Sequence, residues 1–372
     1  MFFGKLIVKL FFKTYSFSAH NNKILMIKRF FILLISATVS LLAFSQAGTG
    51  VYQFLDLPVS SRLAALGSVN VSLRDDDINF AFQNPALLTS ETNNMMGLNM
   101  ASYLADIKFG SAVYGRNYKN NYFAVGVQYI DYGSFKYTNE TNDQAGDTYF
   151  TAKDMALYLM YARPLTKRVT VGAALKPVYS VYERYTSVGL ALDAGVSYND
   201  SANFFSAGLV LKNMGTQLKG YYSVDGDQHL EPLPFNVQLG ISKKFNHAPL
   251  RLSLTLDNLQ HWDLSYESTN QPTDNITGIA ATNKIGFVDM AFRHTILAAE
   301  FVPSKNFYLC MAYNDRRQQE MAMSGFKSGA GFSFGGGIKL YKFHVGFGMT
   351  QFQVGNYAYQ FSISTSLNEF RL

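Results

Sequence analysis

Few residues in this chain have the types and spacing that chemistry needs. His261-Trp262-Asp263 offers a base beside an acid at the start of a polar stretch. A hydrolytic site also needs a nucleophile within hydrogen-bond reach of its base, and no nucleophile motif accompanies it. Trp262, the single tryptophan, reads more simply as an anchor at a membrane–water interface. Asp75-Asp76-Asp77 could suggest calcium, but calcium loops space their carboxylates around a glycine turn. Three adjacent acids point in different directions, which suits a solvated or helix-capping role. Cys310 stands between Leu309 and Met311 on an alternating segment, where it reads as a small filler. As the only cysteine it excludes a disulfide framework and any multi-cysteine metal site. His247, His294 and His344 are isolated, and no phosphate-binding glycine loop is present. Gly335-Gly336-Gly337 falls inside a strand pattern and marks a bend or a close approach. The expectation is a protein without enzymatic activity, cofactor or metal.

The elements around these residues alternate with period 2 from about residue 95 onward, the signature of strands. Val188, Leu190, Leu192, Ala194, Val196 and Tyr198 alternate with Gly189, Ala191, Asp193, Gly195 and Ser197. Phe343, Val345, Phe347 and Met349 alternate with His344, Gly346, Gly348 and Thr350. About fourteen such segments follow one another, near 95–104, 107–118, 121–131, 154–164, 168–179, 187–199, 203–213, 235–245, 250–260, 292–302, 306–316, 332–340, 343–352 and 357–367. Those near 107–118 and 292–302 alternate poorly. Most run about ten residues, the length of a tilted strand that crosses a bilayer. Tight turns at Lys119-Asn120, Thr166-Lys167, Asp200-Ser201, Asn246-His247, Ser304-Lys305 and Tyr341-Lys342 alternate with longer loops near 132–153, 180–186, 214–234, 261–291 and 317–331. The pattern predicts an all-β, transmembrane antiparallel barrel in a Gram-negative outer membrane, short turns and both termini in the periplasm. Its backbone groups must pair within the sheet, so the sheet has to close.

Composition agrees. Charged residues make up 16% and aromatic residues 15%, against about 25% charged in ordinary soluble domains. Past residue 45 no apolar run approaches the roughly 20 residues of a membrane helix. Residues 1–45 hold six of the 32 basic residues and no acid, which leaves 26 of each sign in the remainder. The net charge of +6 therefore belongs to the leader and gives no ground for a nucleic-acid partner. That leader reads as a secretory signal: a basic Met26-Ile27-Lys28-Arg29, an apolar Phe30–Leu42, and Ala43-Phe44-Ser45 before cleavage at Gln46. Met26 is then the natural start.

Residues 46–94 do not alternate and form a separate segment, with the barrel over 95–372. Ser60 and Gly67 bracket a short helix as its cap and its stop, and Asn84-Pro85 is a turn-initiating pair. The inward face of the strands is small and polar, which leaves room for this segment inside as a plug.

The small-residue helix, Asp75-Asp76-Asp77 and Asn84-Pro85-Ala86 ahead of such a strand series resemble the FadL-like outer-membrane family. That resemblance implies a fourteen-stranded barrel with an N-terminal hatch. Tyr52 through Pro58, Ala64 through Gly67, Asp75 through Leu88, Leu211 through Leu218, Glu231 through Phe235 and Leu252 through Leu264 further resemble barrels of the type IX secretion system of Bacteroidetes. The resemblance implies a non-enzymatic component anchoring surface attachment subunits, with PorZ, PorU and PorV as partners beside outer-membrane lipid. The competing expectation is a transporter of hydrophobic small molecules.

Overall fold

The computed structural model describes residues 50–103, 107–138, 144–224, 227–264, 286–321, 329–353 and 356–370. The chain divides into two units, Met1–Ser45 and Gln46–Leu372. The expected leader, its start at Met26 and the middle of the 261–291 loop lie outside the described residues.

Sixteen strands follow in chain order: β1 Met95–Ser102, β2 Lys108–Tyr118, β3 Asn121–Thr138, β4 Gln144–Pro164, β5 Val169–Tyr182, β6 Tyr185–Asp200, β7 Phe205–Lys219, β8 Ser223–Val224, β9 Asp227–Gln228, β10 Asn236–Lys244, β11 Leu250–Leu256, β12 Thr295–Ser304, β13 Phe307–Asn314, β14 Phe332–Leu340, β15 Phe343–Gln353 and β16 Asn356–Ser366. Apart from β8 and β9, which pair only with each other, they form one closed barrel in sequence order. Closure comes from antiparallel pairing of β1 with β16, beginning at Met95↔Ser366. The predicted all-β class and strand number hold. No helix among the described residues is long and apolar enough to cross a membrane.

The faces of the wall are inverted relative to a water-soluble barrel. In β1, Leu98 and Met100 are 49% and 65% exposed on the outside, while Asn99 and Ala101 between them are buried. In β6, Leu190, Leu192 and Val196 face outward, and Ala191, Asp193 and Ser197 are buried inside. Large apolar side chains outside and small or polar ones inside suit a wall whose solvent is hydrocarbon. The weakly alternating segments are strands as well. Phe109 and Val113 of β2 and Ile296 of β12 are buried, so apolar residues occupy both faces and blur the period.

Several predicted loops are largely strand. The 132–153 loop shrinks because β3 and β4 extend past the predicted ends and continue to pair, as at Phe135↔Phe150. The 180–186 loop is a tight turn closed by Tyr182↔Tyr185. The 214–234 loop is shortened by β7, which runs on to Lys219. Period-2 alternation fades at these ends, where polar and aromatic residues mix along the strands, although the backbone goes on pairing. Two short helices stand in the remaining connections, Phe287–Arg293 before β12 and Asp315–Glu320 after β13.

Candidate functional site

Residues 50–94 lie inside the barrel. Gln360 on β16 donates to Pro58 O at 3.2 Å, and Ser111 on β2 donates to Val59 O at 2.9 Å. Gln128 on β3 reaches Phe54 O at 2.7 Å, and Asn84 donates to Val196 O on β6 at 3.3 Å. Asn70 donates to Ser253 on β11 at 3.0 Å, and Thr350 on β15 donates to Ala64 O at 3.0 Å. A segment bonded to inner positions all round a closed wall can only occupy its lumen. Helix α1, Ser61–Ala65, starts where the Ser60 side chain accepts from Leu63 N. It ends before Gly67, whose φ of +85° is left-handed and favours glycine.

The segment enters from an unexpected side. Val51 N donates to Pro232 O at 3.1 Å, within the 214–234 connection on the long-loop side. The barrel strands themselves begin and end on the other side, where Leu367 N meets Asn94 O at 2.8 Å. Both ends of the barrel thus share the short-turn side, but the first described residues of the inner segment do not. The shared side predicted for both termini holds for the strands alone, because residues 50–94 traverse the lumen before β1 starts.

An ion network fastens α1 to the wall. Arg62, buried, donates to Glu300 Oε1 and to Asp75 Oδ2 at 3.0 and 2.9 Å. Arg251 on β11 bridges the same two acids at 3.0 and 3.1 Å. The Arg62 guanidinium also lies 4.5 Å from the Tyr308 ring centroid, a favourable cation–π distance. Burial alone would lower the basicity of Arg62, but Glu300 and Asp75 outweigh it and hold the guanidinium above its ordinary value. Burial likewise opposes ionisation of Asp75, yet Arg62 and Arg251 hold its carboxyl well below the usual range. Arg62 helps Asp76 too little to offset burial and the neighbouring Asp75, which push it up to about 7. Asp77 accepts from Asn79 N at 3.0 Å and caps the short 3-10 turn Ile78–Phe82. The adjacent acids thus have different roles: Asp75 joins the ion network, Asp76 is half-buried, and Asp77 is a cap that also lies 3.8 Å from Arg62 Nη1. No three metal-ligating side chains cluster among the described residues.

Asn84-Pro85-Ala86 forms a second fastening. Asn84 caps the turn Pro85–Leu87 by accepting from Ala86 N at 3.0 Å, and its amide donates to Val71 O at 3.0 Å. The wall makes room with glycine. A Cβ at Gly172 would stand 2.5 Å from Ala86 N, one at Gly126 2.7 Å from Phe82 Cζ, and one at Gly335 2.6 Å from Ala65 Cβ. Gly335 is the close approach of β14 to the inner segment, whereas Gly337 makes room for the Tyr308 ring.

A third fastening was not foreseen from the sequence. Lys176 is buried against Asp193 at 2.6 Å. The β6–β7 register shifts between Leu192 and Ala194, and Asn213 takes a left-handed φ of 57° there. Asn213 N donates to Asp193 Oδ1 at 2.7 Å, and its amide donates to Asp56 at 3.1 Å and to Pro234 O at 2.9 Å. Lys176 also donates to Asn213. Burial raises Asp56 to about 6 despite Lys212 nearby. The available signal was charge on small-residue inner positions, since ionisable groups inside a membrane wall face inward and pair.

The remaining candidates are scattered. Trp262 is 45% exposed and stacks on Phe287 and His294, each at 5.0 Å. His294 is buried beneath it with Nδ1 at 2.7 Å from Asp257 O and Nε2 at 3.1 Å from Trp262 O, so it braces the turn. Cys310 is buried with Sγ at 3.6 Å from Gly335 O.

No family model matches the sequence, and no curated protein matches it. Among solved structures, a TodX monoaromatic hydrocarbon channel mutant has a TM-score of 0.50 at 12% identity, covering 83% of this chain and 97% of that one. The CymD monoaromatic hydrocarbon channel has a TM-score of 0.49 at 14% identity over 87% and 97%. A Pseudomonas aeruginosa FadL homologue has a TM-score of 0.47 at 11% identity over 86% and 99%. The likeness is one of fold alone, and this chain's part in it is a closed, fourteen-stranded antiparallel barrel.

Proposed function

We propose that this chain sits in an outer membrane and passes hydrophobic small molecules, with residues 50–94 as the gate. The observation that carries this reading is the barrel closed around its own N-terminal segment, in a fold shared with a monoaromatic hydrocarbon channel. The apolar outer face supports the membrane location, and exposed Trp262, Phe287, Val288 and Phe292 form an interfacial anchor on it. The segment is held by apolar packing, with Phe54, Leu63, Ile78 and Phe82 in one buried cluster with the wall, and by side-chain hydrogen bonds and ion pairs; no strand ladder ties it to the sheet, so it can shift without opening the wall. The test is uptake of a radiolabelled monoaromatic hydrocarbon or fatty acid by cells with and without the chain. Uptake above the deletion strain is expected; equal uptake would sink the reading.

The second reading is an anchoring component of the type IX secretion system, similar to PorQ, with PorZ, PorU and PorV as partners. The observation favouring it is that three separate polar fastenings tie the inner segment to the wall, as a static anchor requires. Affinity purification from native membranes separates the two: secretion subunits co-purify in this case and are absent in the other.

A further inference from the structure

We infer that the short-turn mouth of the barrel holds a binding site for a phosphate-bearing anion, between the inner segment and strands β6, β7, β10 and β11. Two cavities open there, of ≈ 400 and ≈ 390 Å3, and share Arg74, Glu91, Lys244 and Arg251. Volumes of this order fall within the roughly 300–1,000 Å3 of small-molecule sites. Their charge separates them. The first is also lined by Asp75, Asp76 and Asp77, which repel an anion. The second has Glu91 as its one acid against Arg74, Lys244 and Arg251.

Arg251 is engaged by Asp75 and Glu300. The side chains of Arg74 and Lys244 make no ion pair or hydrogen bond among the described residues. Glu91 on the same cavity wall is the carboxylate that acts on Arg74, but burial outweighs it and holds the guanidinium below its ordinary basicity, a cost that a closer anionic partner relieves. An anion between Arg74 and Lys244 removes that cost through charge-assisted hydrogen bonds. Ser90, Ser201, Ser206 and Asn199 also line the space and can donate to further oxygens. Two unpaired cations, Arg251 beside them and hydroxyl donors around them match a phosphate dianion better than a neutral solute. The inference is independent of what crosses the barrel.

Calorimetric titration of inorganic phosphate into the purified full chain in neutral detergent tests it. Saturable binding is expected, weakened roughly tenfold or more in the Arg74→Gln/Lys244→Gln variant, as loss of charge-assisted hydrogen bonds requires. Lys219→Gln, at the opposite end, should leave it unchanged. Repeating the titration in phosphatidylglycerol and in phosphatidylcholine nanodiscs identifies the source. Competition confined to phosphatidylglycerol assigns the site to a lipid headgroup, and equal binding in both assigns it to a soluble phosphate compound. Absence of saturable binding overturns the inference. So does unchanged affinity in the double variant while its barrel still shows the gel shift of a folded membrane barrel.

Discussion

At the scale of single residues, the lumen is organised by buried and partly buried charges that pair with one another. Arg62 is the central case. Arg62→Ala leaves Asp75 and Glu300 with Arg251 alone, and breaking a buried pair costs on the order of 3 kcal/mol. The expected result is a lower thermal midpoint in detergent, with Arg62→Lys recovering part of the loss; an unchanged midpoint for Arg62→Ala would count against the network. Asp76 makes an opposite prediction. Its carboxyl is raised from 3.8 to about 7, so the protonated form is favoured in the folded state. Its contribution is fully present below the unfolded value and is lost as pH rises from there through about 7. Asp76→Asn should therefore melt higher than wild type at pH 8 and close to it at pH 4. Asp75 behaves the other way, losing its contribution as pH falls below the ordinary carboxylate range. The triplet was visible in the sequence, but its division of roles was not. Arg251 and Glu300 lie on strands 49 positions apart, and only the closed sheet brings them to Asp75.

At the scale of elements, α1 and the Asn84 turn are set by local sequence, and the wall is shaped to receive them. Ser60 and Gly67 delimit the helix through capping and a left-handed stop, features that short-range chemistry decides. The depth at which the helix sits is decided by Gly335, where a Cβ would stand 2.6 Å from Ala65 Cβ. Gly335→Ala should cost about 1–3 kcal/mol by overpacking, and Ala65→Gly in the same chain should recover only part of it, because the new Cβ would also stand 2.6 Å from Phe347 O. A double-mutant cycle of thermal midpoints checks this, and additive effects would show that the two positions do not touch. Gly335-Gly336-Gly337 signalled a close approach in the sequence, but the partner could not be read from it. Strand ends were misjudged for a related reason. Beyond the apolar belt, aromatic residues such as Phe135 and Tyr149 mix with polar ones, so alternation stops while β3 and β4 keep pairing to Thr138↔Gln144.

At the scale of the whole molecule, the decisive property is the inversion of the wall. Leu192 is 41% exposed and Asp193 beside it is buried, an arrangement that costs free energy in water and relieves it in lipid. Leu192→Arg should destabilise the membrane-inserted barrel by about 2–4 kcal/mol if the position lies near the bilayer midplane. The measurement is the fraction of chain recovered in outer membranes as the heat-modifiable folded band. A variant recovered as well as wild type would argue for a soluble barrel. The amino-acid sequence by itself determined the class, the number and most centres of the strands, and the outward direction of their large side chains. Those follow from period 2 and from turn residues, which act between neighbours in the chain. Tertiary structure alone decided that residues 50–94 cross the lumen from the long-loop side, and which wall positions receive them. It also decided that Arg62, Asp75, Arg251 and Glu300 meet. Such contacts join residues tens to hundreds of positions apart, and what sets them is how the closed sheet packs around its own N-terminal segment.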